Sequence, residues 1–290
     1  MTLAQLIPVL LQVSVALLVI GLGLETAPGD LTHLLRRPAL LVRSVLAMNV
    51  VTPLVAAGIA AGLHLGPELE VALVLLAVSP VPPVLPKKQV KAGGSSSYAI
   101  GLLAFSAVLA IVAVPVSMAV IGRAFGVPLQ VPAALIARVV GSSVLAPLLV
   151  GALVLRFAPG AANRLSRPLS RIGTMLLGVL ALVVLAGSWR GLMGAMGGFA
   201  VAAVVGFVLV SLLVGHVLGG PDEDDRTVLA LATASRHPGV ALSIAGAVAP
   251  GHPAVSAAVM LAFLVSLLVT GPYAKRRTRT ASSATPASHA

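Results

Sequence analysis

The sequence predicts an all-α membrane protein with about nine transmembrane helices, and three observations carry that reading. Of its 290 residues 58% are hydrophobic and 9% charged, at a mean hydropathy of +1.08, whereas a soluble domain carries roughly 25% charged residues. Apolar runs near the roughly 20 residues that a spanning helix needs recur between polar breaks. Lys and Arg also alternate in density from one break to the next. The net charge of +11 is scattered between apolar runs and the aromatic content is 3%, so nucleic-acid binding is excluded for want of a basic face or a stacking platform. With no cysteine, disulfides, thiolate metal sites and cysteine nucleophiles are excluded as well.

In chain order the expected spans are Leu3–Leu24, Pro38–Leu63, Leu69–Ala92, Ser97–Gly122, Val131–Leu155, Pro168–Gly187, Leu192–Leu218, Thr227–Ala249 and Pro253–Tyr273. The first has no Lys or Arg before it and exceeds a signal-peptide core, which makes it a retained span. Alternate breaks then fall on one side. That side holds Arg36, Arg37, Arg156, Arg164, Arg167, Arg171, Arg226, Lys275, Arg276, Arg277 and Arg279, and the other holds Arg123 and Arg190. Basic loops stay in the cytoplasm, so the expectation is a multi-pass protein of the cell membrane with its N-terminus outside and its C-terminus inside. The Ser-, Thr- and Ala-rich end, within residues 274–290, reads as a disordered cytoplasmic tail.

Two spans break the rules of a hydrophobic helix. In the third, Pro80, Pro82, Pro83 and Pro86 remove four donors and push their preceding residues out of helical geometry. Lys87, Lys88 and Lys91 follow, then Gly93, Gly94, Ser95, Ser96 and Ser97. In the eighth, Thr233, Ser235, Arg236 and His237 precede Pro238 and Gly239 in mid-span. Irregular backbone at membrane depth survives only when buried in protein or lining a wet cavity. One such break in each half of the chain marks the midplane binding site of a secondary transporter.

All eight acidic residues (Glu25, Asp30, Glu68, Glu70, Asp222, Glu223, Asp224, Asp225) fall outside the spans or at their ends. No carboxylate lies inside to hold a cation, while Arg236, Lys87 and Lys88 lie in or near spans. An unpartnered buried cation is costly, and an anionic solute is the simplest partner; the Arg fork suits a carboxylate, phosphate or sulfonate. His237, Thr233, Ser235 and Ser95–Ser97 join them as candidate substrate ligands, with no metal site and no cofactor. Enzyme chemistry is not expected, because the chain has no HExxH spacing, no phosphate loop and no Ser-His-Asp set with a buried acid.

At these residues the chain resembles the bile acid:sodium symporter family over nearly its whole length. Gly21-Leu22-Gly23-Leu24, Asp30, Leu34-Leu35 and Arg37-Pro38 look like the family's first cytoplasmic connection. Ser79-Pro80 looks like the start of its first broken helix, and Gly239 with Ala241-Leu242 like its second. The resemblance implies inverted repeats with two crossing broken helices and alternating access for organic anions. It also implies a panel (about 3–63 and 131–187) against a core (about 69–122 and 192–273). It implies sodium too, but the family's Glu-x-Gly-x-Gln-Asn pattern falls here on Ala232, Ala234, Arg236 and His237. A family Gln falls on Met48, and a Ser-Asn pair on Leu85-Pro86. The sodium-site residues are therefore absent. The expectation is a secondary transporter of a small anion in which Arg236, with Lys87 or Lys88, stands in the space of the missing cations and His237 couples to protons. The alternatives are a sodium-independent exchanger or efflux permease, and a non-transporting scaffold or sensor.

Overall fold

The structure is a computed structural model that describes residues 3–63, 65–126, 129–195 and 198–284. Its elements are α1 (Leu3–Gly23), α2 (Pro38–Leu63), α3 (Pro67–Val78), α4 (Leu85–Lys91), α5 (Ser96–Ala124), α6 (Ala133–Phe157), α7 (Pro159–Ala195), α8 (Gly198–Leu218), α9 (Glu223–Ala234), α10 (Pro238–Val248) and α11 (Pro253–Ala284). No strand occurs among the described residues. Five helices are long and apolar enough to cross a membrane: Pro38–Leu63, Ser96–Ala124, Ala133–Phe157, Phe199–Leu218 and Pro253–Ala281. Val9–Gly23 forms a shorter apolar helix. A multi-pass all-α membrane protein follows, because a helix satisfies every backbone group within itself where no water can.

Helix α1 packs on α6 and α7 to form one layer. Small residues allow the contact: a Cβ on Gly151 would lie 2.3 Å from the Ile20 carbonyl oxygen and 2.8 Å from the Gly23 Cα. Such close backbone approach drives helix association where lipid removes the hydrophobic incentive. The second layer gathers α3, α8, α9, α10 and α11. Helix α2, expected in the panel with residues 3–63, packs instead on α3 and α8 of this second layer. Sequence adjacency to α1 does not hold it there, because the connection from Glu25 to Arg37 leads the chain across to the second layer.

Both α2 and α6 contain a π-helical segment, at Leu46–Val51 and Gly141–Leu145. Each ends shortly before a proline, Pro53 or Pro147. The wider turn moves the carbonyl that a mid-helix Pro ring would strike. The Thr52 N–H, for example, reaches back five residues to the Ala47 carbonyl.

The third and eighth spans are broken as expected, at residues 79–84 and 235–237. Pro86 and Pro238 lie in the first turns of α4 and α10 rather than in the gaps. There the missing N–H costs nothing and the fixed φ starts a helix. Gly93, with φ +83°, closes α4: its N–H reaches the Val90 carbonyl and the Gly94 N–H the Gln89 carbonyl, both at 2.9 Å, a left-handed cap that favours glycine.

The expected tail differs. Helix α11 runs on to Ala284, so residues 274–284 are helical, and only 285–290 lie outside the described residues. The extension is held from both sides. Arg277 donates from Nε to the Thr227 hydroxyl at 2.8 Å and from Nη2 to the Glu223 carbonyl at 2.7 Å, and its Nη1 pairs with the Glu223 carboxylate. The Thr278 hydroxyl donates to the Lys91 carbonyl at 3.0 Å. A polar composition does not leave a segment unstructured when one of its cations, Arg277, finds a carboxylate and Thr278 finds the end of α4.

Candidate functional site

The two breaks meet. The His237 N–H donates to the Pro80 carbonyl at 2.9 Å, so residues of one gap close the hydrogen bonds of the other. Arg236, only 3% exposed, ties the crossing together. Its Nε donates to the Thr233 carbonyl at 3.2 Å, Nη1 to the Ser79 carbonyl at 3.1 Å and Nη2 to the Met48 carbonyl at 2.7 Å.

Prolines leave all three of those carbonyls without a backbone donor. The Ser79 carbonyl would accept from residue 83, which is Pro83. The Thr233 carbonyl would accept from His237, whose N–H is turned to Pro80, and the next residue is Pro238. The Met48 carbonyl loses Thr52 to Ala47 in the π turn, and the residue after Thr52 is Pro53. A buried carbonyl without a partner costs about 1–3 kcal/mol. The planar guanidinium, with five donors in a fixed fork, reaches three such oxygens from three segments at once.

His237 caps α10, its Nδ1 accepting the Val240 N–H at 3.4 Å. Nδ1 as acceptor places the ring proton on Nε2 of a neutral imidazole, and Nε2 is buried with no partner among the described residues. The Ser235 hydroxyl is likewise buried and unpartnered, while the Thr233 hydroxyl donates to its own helix and to the Ser211 carbonyl. The space beside Arg236 is about 10 Å³, between Leu76, Phe207 and Ser266, room for about one water.

The remaining candidates lie elsewhere. The Lys88 ammonium donates to the Thr270 hydroxyl of α11 at 2.7 Å. Lys87 lines a crevice of about 390 Å³ against Arg167 and Arg171 of α7. Ser95 caps α5, accepting the Tyr98 N–H at 3.3 Å, with Ser96 and Ser97 in the first turn. The structure thus brings Thr233, Ser235, Arg236 and His237 to the crossing with Ser79 and Pro80, and leaves Ser95–Ser97 at the far end of α4. A larger cavity, about 790 Å³, sits beyond α1 among Glu25, Arg156, Asn163 and Ser166, away from the crossing.

Sequence reasoning missed two participants. The Met48 carbonyl becomes available only through the π turn, for which Thr52-Pro53 was the visible signal. Gln89 bridges the broken helices, its amide N donating to the Val228 carbonyl at 2.8 Å with its Oε1 buried and unpartnered. A glutamine among three lysines gives no sign of facing inward until the helix is placed.

Comparison with known proteins agrees with this architecture. The Sodium Bile acid symporter family matches residues 12–195, which includes the first break and ends before the second. The "Uncharacterized sodium-dependent transporter YocS" of Bacillus subtilis (strain 168) is 26% identical over 147 residues. That match covers 51% of this chain and 45% of the relative, so it spans less than half of the relative's length.

Proposed function

This chain belongs to the sodium bile acid symporter family, a family of membrane transporters, and from that premise we propose that it carries a small organic anion by alternating access without sodium at the crossing. One observation carries the proposal: the Arg236 guanidinium occupies three carbonyl oxygens from three segments. Inward-facing oxygens are the ligand set that hard metal cations take. Here a tethered cation fills it, and no carboxylate joins it among the described residues. The core then keeps a permanent positive charge where an ion-coupled relative would bind and release one, and that charge favours an anion nearby. In this reading nine spans place the N-terminus outside and the C-terminus in the cytoplasm, following the alternation of Lys and Arg.

The test is a thermal-shift screen of organic anions on the purified protein in sodium and in N-methylglucamine buffer, followed by uptake of each stabilising anion into proteoliposomes. The expected result is the same stabilisation in both buffers, and uptake without a sodium gradient that Arg236→Gln abolishes. Uptake that requires sodium in the wild type would sink the proposal.

A further inference from the structure

The crevice that contains Lys87 carries more charge than one solute carboxylate would match. It lies between the two layers, with Lys87 on α4 facing Arg167 and Arg171 on α7, and Glu25 just beyond α1. Arg167 and Arg171 are four residues apart and share one face of their helix. None of the three cations has an ion-pair or hydrogen-bond partner among the described residues. Two other arginines do find carboxylates: Arg37 pairs with Asp222 and Asp225, and Arg277 with Glu223. Three positive charges face one carboxylate across about 390 Å³, a volume in the range of small-molecule sites. Like charges converging in a cleft repel one another, and an anion seated between them relieves that repulsion.

We propose that this crevice reads the charge of the solute and selects one with two negative charges over its singly charged counterpart. The inference rests on the anion-carrier reading and deepens it, because it names a substrate class and assigns Arg167 and Arg171 as the residues that set it. Lys87 travels with the broken helix and the two arginines with the other layer, so a dianion would bridge the two layers that alternating access moves. The excess of two charges is what a dicarboxylate or sulfate neutralises, and a monoester of the same shape leaves one cation unmatched.

The experiment uses the full chain in lipid-free neutral detergent, which removes headgroup phosphates as competitors. Binding of succinate, glutarate and sulfate is measured by calorimetry at constant ionic strength in sodium-free buffer, each beside its monomethyl ester or methyl sulfate. At least one dianion is expected to bind about tenfold more tightly than its ester. In the Arg167→Gln/Arg171→Gln double variant that preference is expected to fall to within about twofold. Both side chains are exposed, so the melting temperature should hold and report an intact fold. Esters that bind as tightly as every dianion overturn the inference while the carrier reading stands, and so does a preference that survives the double variant. If no anion binds the wild type, the carrier reading and this inference fall together.

Discussion

The crossing and the rim hold their arginines in opposite ways. At the crossing Arg236 is buried and every partner is a neutral carbonyl. At the rim, where α9 starts and α11 extends, Arg37 and Arg277 pair with carboxylates. The difference follows from where acidic residues can sit. A carboxylate at membrane depth is costly, whereas prolines supply free carbonyls there at no charge cost. Arg236 at the crossing is therefore held by backbone geometry, whereas Arg37 and Arg277 at the rim also meet side chains that titrate.

The largest expected effect comes from the crossing. Arg236→Ala leaves three buried carbonyls unmet and should cost about 3–5 kcal/mol of stability, seen as a large fall in melting temperature. Arg236→Lys should recover little of it, because one ammonium on a flexible stem does not span three segments. If Lys restored the melting temperature, charge alone would hold the crossing and the fork geometry would be irrelevant.

Sodium sharpens the same comparison. With the guanidinium gone, the three oxygens are free for a small cation, and a ligand that binds only the folded state stabilises it. Sodium is expected to raise the melting temperature of Arg236→Ala and leave the wild type unmoved when N-methylglucamine replaces it. A wild type that responds equally would show that the cation sits elsewhere.

At the rim the effects are smaller and depend on pH. Arg277→Ala removes the bonds to Glu223 and Thr227 and should cost about 1 kcal/mol, with hydrogen exchange rising across residues 274–284. Arg277, by its hydrogen bond first and its charge second, holds the Glu223 carboxyl below its ordinary range. A depressed carboxylate stabilises the fold above its unfolded pKa, and that contribution is lost as pH falls through the folded value. The gap between wild type and Arg277→Ala should accordingly close below about pH 4. A gap that stays constant with pH would assign the contact to packing.

Asp225 shifts the other way. Burial raises its pKa, while Arg37 opposes that only in part. A carboxyl raised by folding favours the fold when protonated, and that stability is lost as pH rises through the folded value. Asp225→Asn gives up one partner of Arg37, which keeps Asp222, and removes the penalty on the charged form. The net change at pH 7 should lie within about 0.5 kcal/mol, the smallest of the series. A loss as large as that of Arg277→Ala would mean the Arg37 pair holds the rim.

The fold and the breaks were legible because composition and proline act locally. Four prolines before Lys87 permit no regular helix, and Arg236-His237-Pro238 announces a gap wherever the chain goes. The site was legible in part. Arg236 stood out as a cation in an apolar span, but the expectation that it meets a solute directly does not follow from its geometry, since its side chain meets Thr233, Ser79 and Met48. Those are backbone atoms, and residue identity carries no sign of them. Ser95–Ser97 read as candidate ligands, and the structure shows Ser95 as the cap of α5.

The sequence by itself determined that this is a membrane-spanning helical protein with two interrupted spans, because water-hating length and missing N–H groups are properties of the residues. Tertiary structure alone decided that the gaps close on each other, that α2 joins the second layer, and that α11 continues beyond the expected tail. Each depends on which carbonyl or carboxylate comes within hydrogen-bond reach of an arginine from a distant segment. A hydrogen bond extends about 3 Å, and only folding brings Met48 and Ser79 that close to Arg236.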